Sequence, residues 1–128
     1  MMMREQVLTR EVVNQAAGLI DQGFVKYSVR AVDPTTGRVL YCIVGALMAA
    51  AGHDFDAPHV EVPRAVDELN DLTSPFGKVA WEKVKRYCPD MDHRGPLSLS
   101  FRLVDFNNSP GRKPEEVVAF LREVANEL

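Results

Sequence analysis

No apolar run in this sequence approaches the roughly 20 residues that a membrane-spanning helix needs, so no membrane association is expected. After Met1-Met2-Met3-Arg4-Glu5-Gln6 there is also no apolar core of about 7 residues or more, which speaks against a secretory leader. Cysteine is scarce. The two present, Cys42 and Cys88, read as reduced thiols in a cytoplasmic protein rather than as a disulfide framework. Positive charge is not in surplus: 15 Lys and Arg stand against 18 Asp and Glu, for a net charge of −3, and nucleic acid is not expected as a partner. Also missing are a phosphate-binding glycine loop, a catalytic-triad spacing, a Cys/His zinc motif and a dinucleotide fingerprint. No cofactor and no metal are therefore expected, and no internal repeat or low-complexity segment breaks the chain.

What is there suits one globular domain spanning residues 1–128. With 46% hydrophobic and 26% charged residues, the composition can bury roughly two thirds of the unfolded surface. The chain is organised around Tyr41-Cys42-Ile43-Val44-Gly45-Ala46-Leu47-Met48-Ala49-Ala50-Ala51-Gly52. This window reads as a helix that is apolar all round and hence buried, with Gly52 as the C′ residue that ends it. No Ser, Thr, Asp or Asn stands between Arg38 and Val44 to cap it, so its first N–H groups need partners from elsewhere.

Before it, Thr9 reads as the N-cap of a helix to Gln22, with Val12, Val13, Ala16, Leu19 and Ile20 on one face. Lys26–Val32 then alternates as a half-buried strand with Tyr27, Val29 and Ala31 inward. Asp33-Pro34-Thr35-Thr36-Gly37 turns the chain, and Arg38–Tyr41 returns as the second strand of a β-hairpin. Beyond the central helix, Pro63 opens a short helix with Val62, Val66, Leu69 and Leu72 as its stripe. Ser74-Pro75 starts another, with Phe76, Ala80, Val84 and Tyr87 inward and Gly77 weakening its first turn. Pro89–Pro96 is a polar surface loop. Leu97–Phe106 fits either strand or helix and is read as helix; Pro114-Glu115-Glu116 opens the last helix, with Val117, Leu121, Val124 and Leu128 inward. The fold expected is α+β, mostly helical, a single domain with a central apolar helix and one β-hairpin.

Two stretches resemble an uncharacterised family of small domains from actinobacteria and their phages. Tyr41-Cys42-Ile43-Val44-Gly45-Ala46-Leu47 is similar to its aromatic-Cys-x-x-Gly-Ala-Leu run. Phe106-Asn107-Asn108-Ser109-Pro110-Gly111-Arg112-Lys113-Pro114-Glu115-Glu116-Val117 is similar to its C-terminal aromatic-Asn-Asp turn and following helix. Tyr41 replaces the usual tryptophan and Asn108 the usual aspartate. Any chemistry that the family drew from that carboxylate's charge would be missing here. The resemblance implies a fold unit and no reaction.

Four constellations remain to be weighed. Cys42, near a helix N-terminus, is either a nucleophile or a small buried side chain. A base for it would come from His53, His59 or His93, all in loops. His53, Asp54, Asp56 and His59 carry ligand-type side chains, but their spacing fits an acidic hinge as well as a zinc site. Lys78, Lys83, Lys85 and Arg86 surround Trp81 on one helix, which reads as a solvated face or as a partner surface. Asn107 and Asn108 are plain turn residues, or their side chains reach back to the uncapped central helix. The expected function is a small cytoplasmic, non-enzymatic module that binds another protein through Tyr41, Cys42, Asn107, Asn108 and Trp81, with a homo-oligomer compatible. The alternatives are an enzyme using Cys42 with His53 or His59, and a binder of a small anionic ligand at the start of the central helix. A pocket open at Cys42 favours these alternatives, and a sealed one the module.

Overall fold

The computed structural model describes residues 6–57, 63–87 and 98–128. Among them the order is α1 (Arg10–Gln22), β1 (Arg30–Val32), β2 (Val39–Tyr41), α2 (Ile43–Ala50), α3 (Arg64–Asn70), α4 (Pro75–Tyr87), α5 (Leu99–Asn108) and α6 (Pro114–Asn126). This is the mostly helical α+β domain with one antiparallel hairpin that the patterning implied. His59, Val62, Cys88, His93, Leu97 and the loop Pro89–Pro96 lie outside the described residues.

Helix α1 starts where Thr9 accepts a hydrogen bond from the Val12 amide, and it buries Val13, Ala16, Ala17 and Ile20. Its broadest packing is on α6 and then on α2, and the core that these helices share also takes in buried residues of α3, α4 and α5. The apolar helix α2 is buried from Ile43 to Met48, whereas Ala49 and Ala50 are only half-buried. It ends as a Schellman motif: the Gly52 amide donates to Ala49 O at 3.0 Å and the His53 amide to Met48 O at 3.0 Å.

Alternation misplaced the first strand. Strand β1 covers only Arg30–Val32, Tyr27 is 81% exposed and Val29 is exposed too. Tyr27 has φ 66°, which breaks the pleat, and its amide hydrogen bonds to Asn108 at the end of α5 instead of to the hairpin. On its other side β2 is bridged by the chain after α1, the Tyr41 amide donating to Gly23 O and the Val25 amide to Tyr41 O.

Later elements bring smaller corrections. Pro63 is the N-cap of α3 rather than its first helical residue. Helix α3 buries Ala65 and Leu69 but stops at Asn70, which leaves Leu72 exposed. Gly77 does more than weaken a first turn, since a Cβ there would stand 2.1 Å from Asp71 O. The ambiguous stretch is helical: Leu99, Leu103 and Phe106 are buried, and Phe101, inward in the strand reading, is exposed. Helix α6 buries Val117, Phe120, Leu121 and Val124, and the Phe120 ring lies 4.7 Å from that of Phe106.

Candidate functional site

The two sequence motifs, more than sixty residues apart, meet at the start of α2. Asn107, fully buried in the last turn of α5, accepts a hydrogen bond from the Ile43 amide through Oδ1 at 2.9 Å. Its Nδ2 donates to Val25 O at 3.1 Å and to Asn108 Oδ1 at 3.2 Å. One amide thus caps α2 and fastens the chain that follows α1. Of the two readings of Asn107, the reach back to the central helix is the one the structure contains.

Asn108 Oδ1 also accepts from the Tyr27 amide at 2.9 Å. Both bonds use this atom as an acceptor, a task that a carboxylate oxygen performs equally well. The Asn-for-Asp difference is therefore compatible with a structural role that needs no charge.

Cys42 is the N-cap of α2. Its amide donates to Val29 O at 3.2 Å, and its Sγ accepts from the Gly45 amide at 3.4 Å. The same Val29 carbonyl explains the glycine of the motif, because a Cβ on Gly45 would stand 1.9 Å from it. The thiol is 3% exposed. Burial pushes its pKa above the ordinary value, and hydrogen bonds from the Gly45 and Val44 amides pull weakly the other way. It lies at the floor of a pocket of about 330 Å³ lined by Tyr27, Ser28, Val29, Cys42, Val104 and Asn108, none of them charged. The pocket is open to solvent while the sulfur itself is nearly sealed. That combination lies between the two outcomes that the sequence distinguished.

His53, Asp54, Asp56 and Trp81, the other candidates among the described residues, do not line the pocket at Cys42. His53 follows the far end of α2, separated by about 12 Å of helix, and its ring stands edge-on to Phe55 at 4.7 Å. Tyr41 points to the same Phe55, 6.1 Å between ring centres, and Arg30 lies over that ring at 5.5 Å. Asp54 accepts from the Asp56 amide in a local turn. Among the described residues no group of three or more His, Cys, Asp or Glu comes together to hold a metal. Trp81 is half-buried, with the Arg102 guanidinium 4.8 Å from its ring centre and the Lys85 ammonium at 5.8 Å. Part of the basic character of α4 is neutralised, since Lys83 pairs with Glu127 and Glu123 of the C-terminal region and Lys85 with Glu82.

A family model for a family of unknown function, DUF6197, matches residues 4–127, nearly the whole chain. The chain belongs to the DUF6197 family. No curated protein and no solved structure matches it. In this DUF6197 domain the second motif spends its remaining groups on the fold as well. Arg112 donates from Nε to Phe106 O at 3.0 Å, lies over the Phe106 ring at 4.2 Å and pairs with Glu116 at 3.1 Å. Glu116 in turn accepts from the amide of the N-cap residue Lys113 at 2.8 Å, which ties down the start of α6. The residue that sequence reading missed is Tyr27. Placed inward by alternation, it is the most exposed large hydrophobic side chain of the described residues, and only its pinning by Asn108 reveals why.

Proposed function

We propose that this chain is a small cytoplasmic, non-enzymatic module that binds another protein at the pocket over Cys42. One observation carries the reading: Cys42 and Asn107 at the start of α2 are consumed internally, while Tyr27 and Val29 at the rim of the pocket are exposed. Asn107 completes its bonds inside the fold, and the Cys42 thiol is buried with a raised pKa and no charged residue among the described residues that line the pocket. Tyr27 and Val29 face solvent, and Phe101 lies one turn from Val104 on α5. Such a rim suits an apolar side chain of a partner, with Tyr27 as a rigid aromatic contact. The anion-binding alternative loses support, because the Ile43 and Gly45 amides at the start of α2 already serve Asn107 and Cys42. A phage-encoded or phage-derived accessory factor accords with the resemblance of the two motifs.

The test pairs binding with thiol chemistry. A partner retained from host extract by the parent and by Cys42→Ala, but lost by the folded double variant Tyr27→Ser, Val29→Ser, supports the module. A native Cys42 that reacts faster than free cysteine at neutral pH, together with lost activity in a folded Cys42→Ala variant, overturns it in favour of a cysteine enzyme.

A further inference from the structure

The chain from Val25 to Val29 crosses the N-terminal end of α2, tied down at its two ends and held at its middle by the Asn108 side chain. At one end the Val25 amide donates to Tyr41 O at 3.1 Å, its carbonyl accepts from Asn107 Nδ2 at 3.1 Å, and Lys26 Nζ donates to Ser109 O at 2.9 Å; at the other the Cys42 amide donates to Val29 O at 3.2 Å; in the middle Asn108 Oδ1 holds the Tyr27 amide at 2.9 Å. Between them Tyr27 is the only non-glycine residue with positive φ among the described residues. A left-handed backbone is disfavoured for a bulky side chain. The ring gains little packing in exchange, being 81% exposed, with its hydroxyl 3.5 Å from Asn108 O. A conformation of this kind persists where its surroundings hold it, and it marks sites that switch or clamp. Cys42 lines the same pocket as Tyr27, Ser28 and Val29 of this segment and Val104 and Asn108 of α5.

We infer that residues 25–29 form a strap that opens locally on the folded core, with the Asn108–Tyr27 bond as its latch, and that opening uncovers the Cys42 end of the pocket. The exposed side chains of residues 27–29 and the one strained backbone among them place the middle of this segment lower in local stability than the buried helices beneath it. Strain in Tyr27 favours the open form, and the Asn108 acceptor favours the closed one. That the strap gates entry of a partner's side chain rests on the binding reading above. The opening itself does not, and the test reads the opening alone.

The test is alkylation of the full chain by iodoacetamide across a range of urea below the unfolding transition, with Cys42 read by peptide mass mapping. Local opening gives a Cys42 rate that is slower than free cysteine and independent of urea at low urea. Asn108→Ala raises that plateau by about tenfold, the equivalent of one lost hydrogen bond. Asn108→Asp keeps the acceptor and stays within about threefold of the parent. Tyr27→Asn moves the plateau down several-fold, because asparagine tolerates the left-handed backbone and the largely solvated ring covers little. Its opposite sign keeps the inference testable should Asn108→Ala fail to fold. A rate that follows the global unfolding line down to zero urea overturns the strap. A flat rate unmoved by both Asn108→Ala and Tyr27→Asn overturns it as well, since the opening would then belong to another element.

Discussion

Asn107 Oδ1 stands 2.9 Å from the Ile43 amide nitrogen, across 64 residues of sequence, and serves the first amide of α2 while the local N-cap Cys42 serves that of Gly45. Replacing Asn107 by alanine orphans that amide and also Val25 O, both in or beside the core. The loss expected is about 1 to 3 kcal/mol, toward the upper end because two backbone groups are stranded. Gln15→Ala on the exposed face of α1 serves as the comparison, with a change of no more than about 0.5 kcal/mol. Urea unfolding of both variants checks the ranking, and equal losses would remove the cap.

Gly45 and Gly18 should respond to alanine with opposite signs. A Cβ at Gly45 meets Val29 O at 1.9 Å, so the helix or the strap must shift, at a cost of about 3 kcal/mol or more. A Cβ at Gly18 meets nothing within 4 Å inside α1, and there alanine should stabilise by about 0.5 to 1 kcal/mol. Thermal midpoints of the two variants relative to the parent measure this directly. A harmless Gly45→Ala would mean that the Val29 carbonyl does not sit against α2.

Leu47 is fully buried in the middle of α2, and Leu47→Ala should cost about 2 to 5 kcal/mol through lost burial and the cavity left behind. Lys85 pairs with Glu82 one turn away on a wet face, so Lys85→Ala should change stability by no more than about 0.5 kcal/mol. Denaturant midpoints separate the two, and similar small shifts would contradict a buried α2.

Alkaline pH should penalise the parent more than Cys42→Ala. Burial raises the folded thiol above its ordinary value of 9.0, while the unfolded thiol ionises near that value. The unfolded chain therefore binds fewer protons above it, and stability falls as pH rises from the unfolded toward the folded value. Tyr87, whose hydroxyl is also raised, by burial and then by its hydrogen bond to Glu123, titrates in both proteins and cancels in the difference. Unfolding free energies of the pair, measured from neutral pH to about 10.5, should be parallel at first and converge above pH 9. A constant gap would show that the thiol is not held protonated by the fold.

Capping and helical periodicity were legible in the residues because they are local. Thr9, the Ser74-Pro75 pair and Pro114-Glu115-Glu116 start their helices as read, and the apolar run of α2 is buried as its composition demanded. The resemblance joined two motifs without saying why they occur together. Tertiary structure supplies the reason: Asn107 of the second motif accepts from the first amide of α2 beside the N-cap Cys42, and Asn108 holds the Tyr27 amide next to it. It also decided what alternation could not. Whether Tyr27 and Val29 face in or out depends on which hydrogen-bond partners pull on the backbone around them, and those partners, Asn107 and Asn108, arrive from the other end of the chain. The reactivity of Cys42 was open for the same reason. A helix N-terminus lowers a thiol pKa and burial raises it; local sequence sets the first, whereas the packing of residues 25–29 and α5 over the sulfur sets the second, and burial wins.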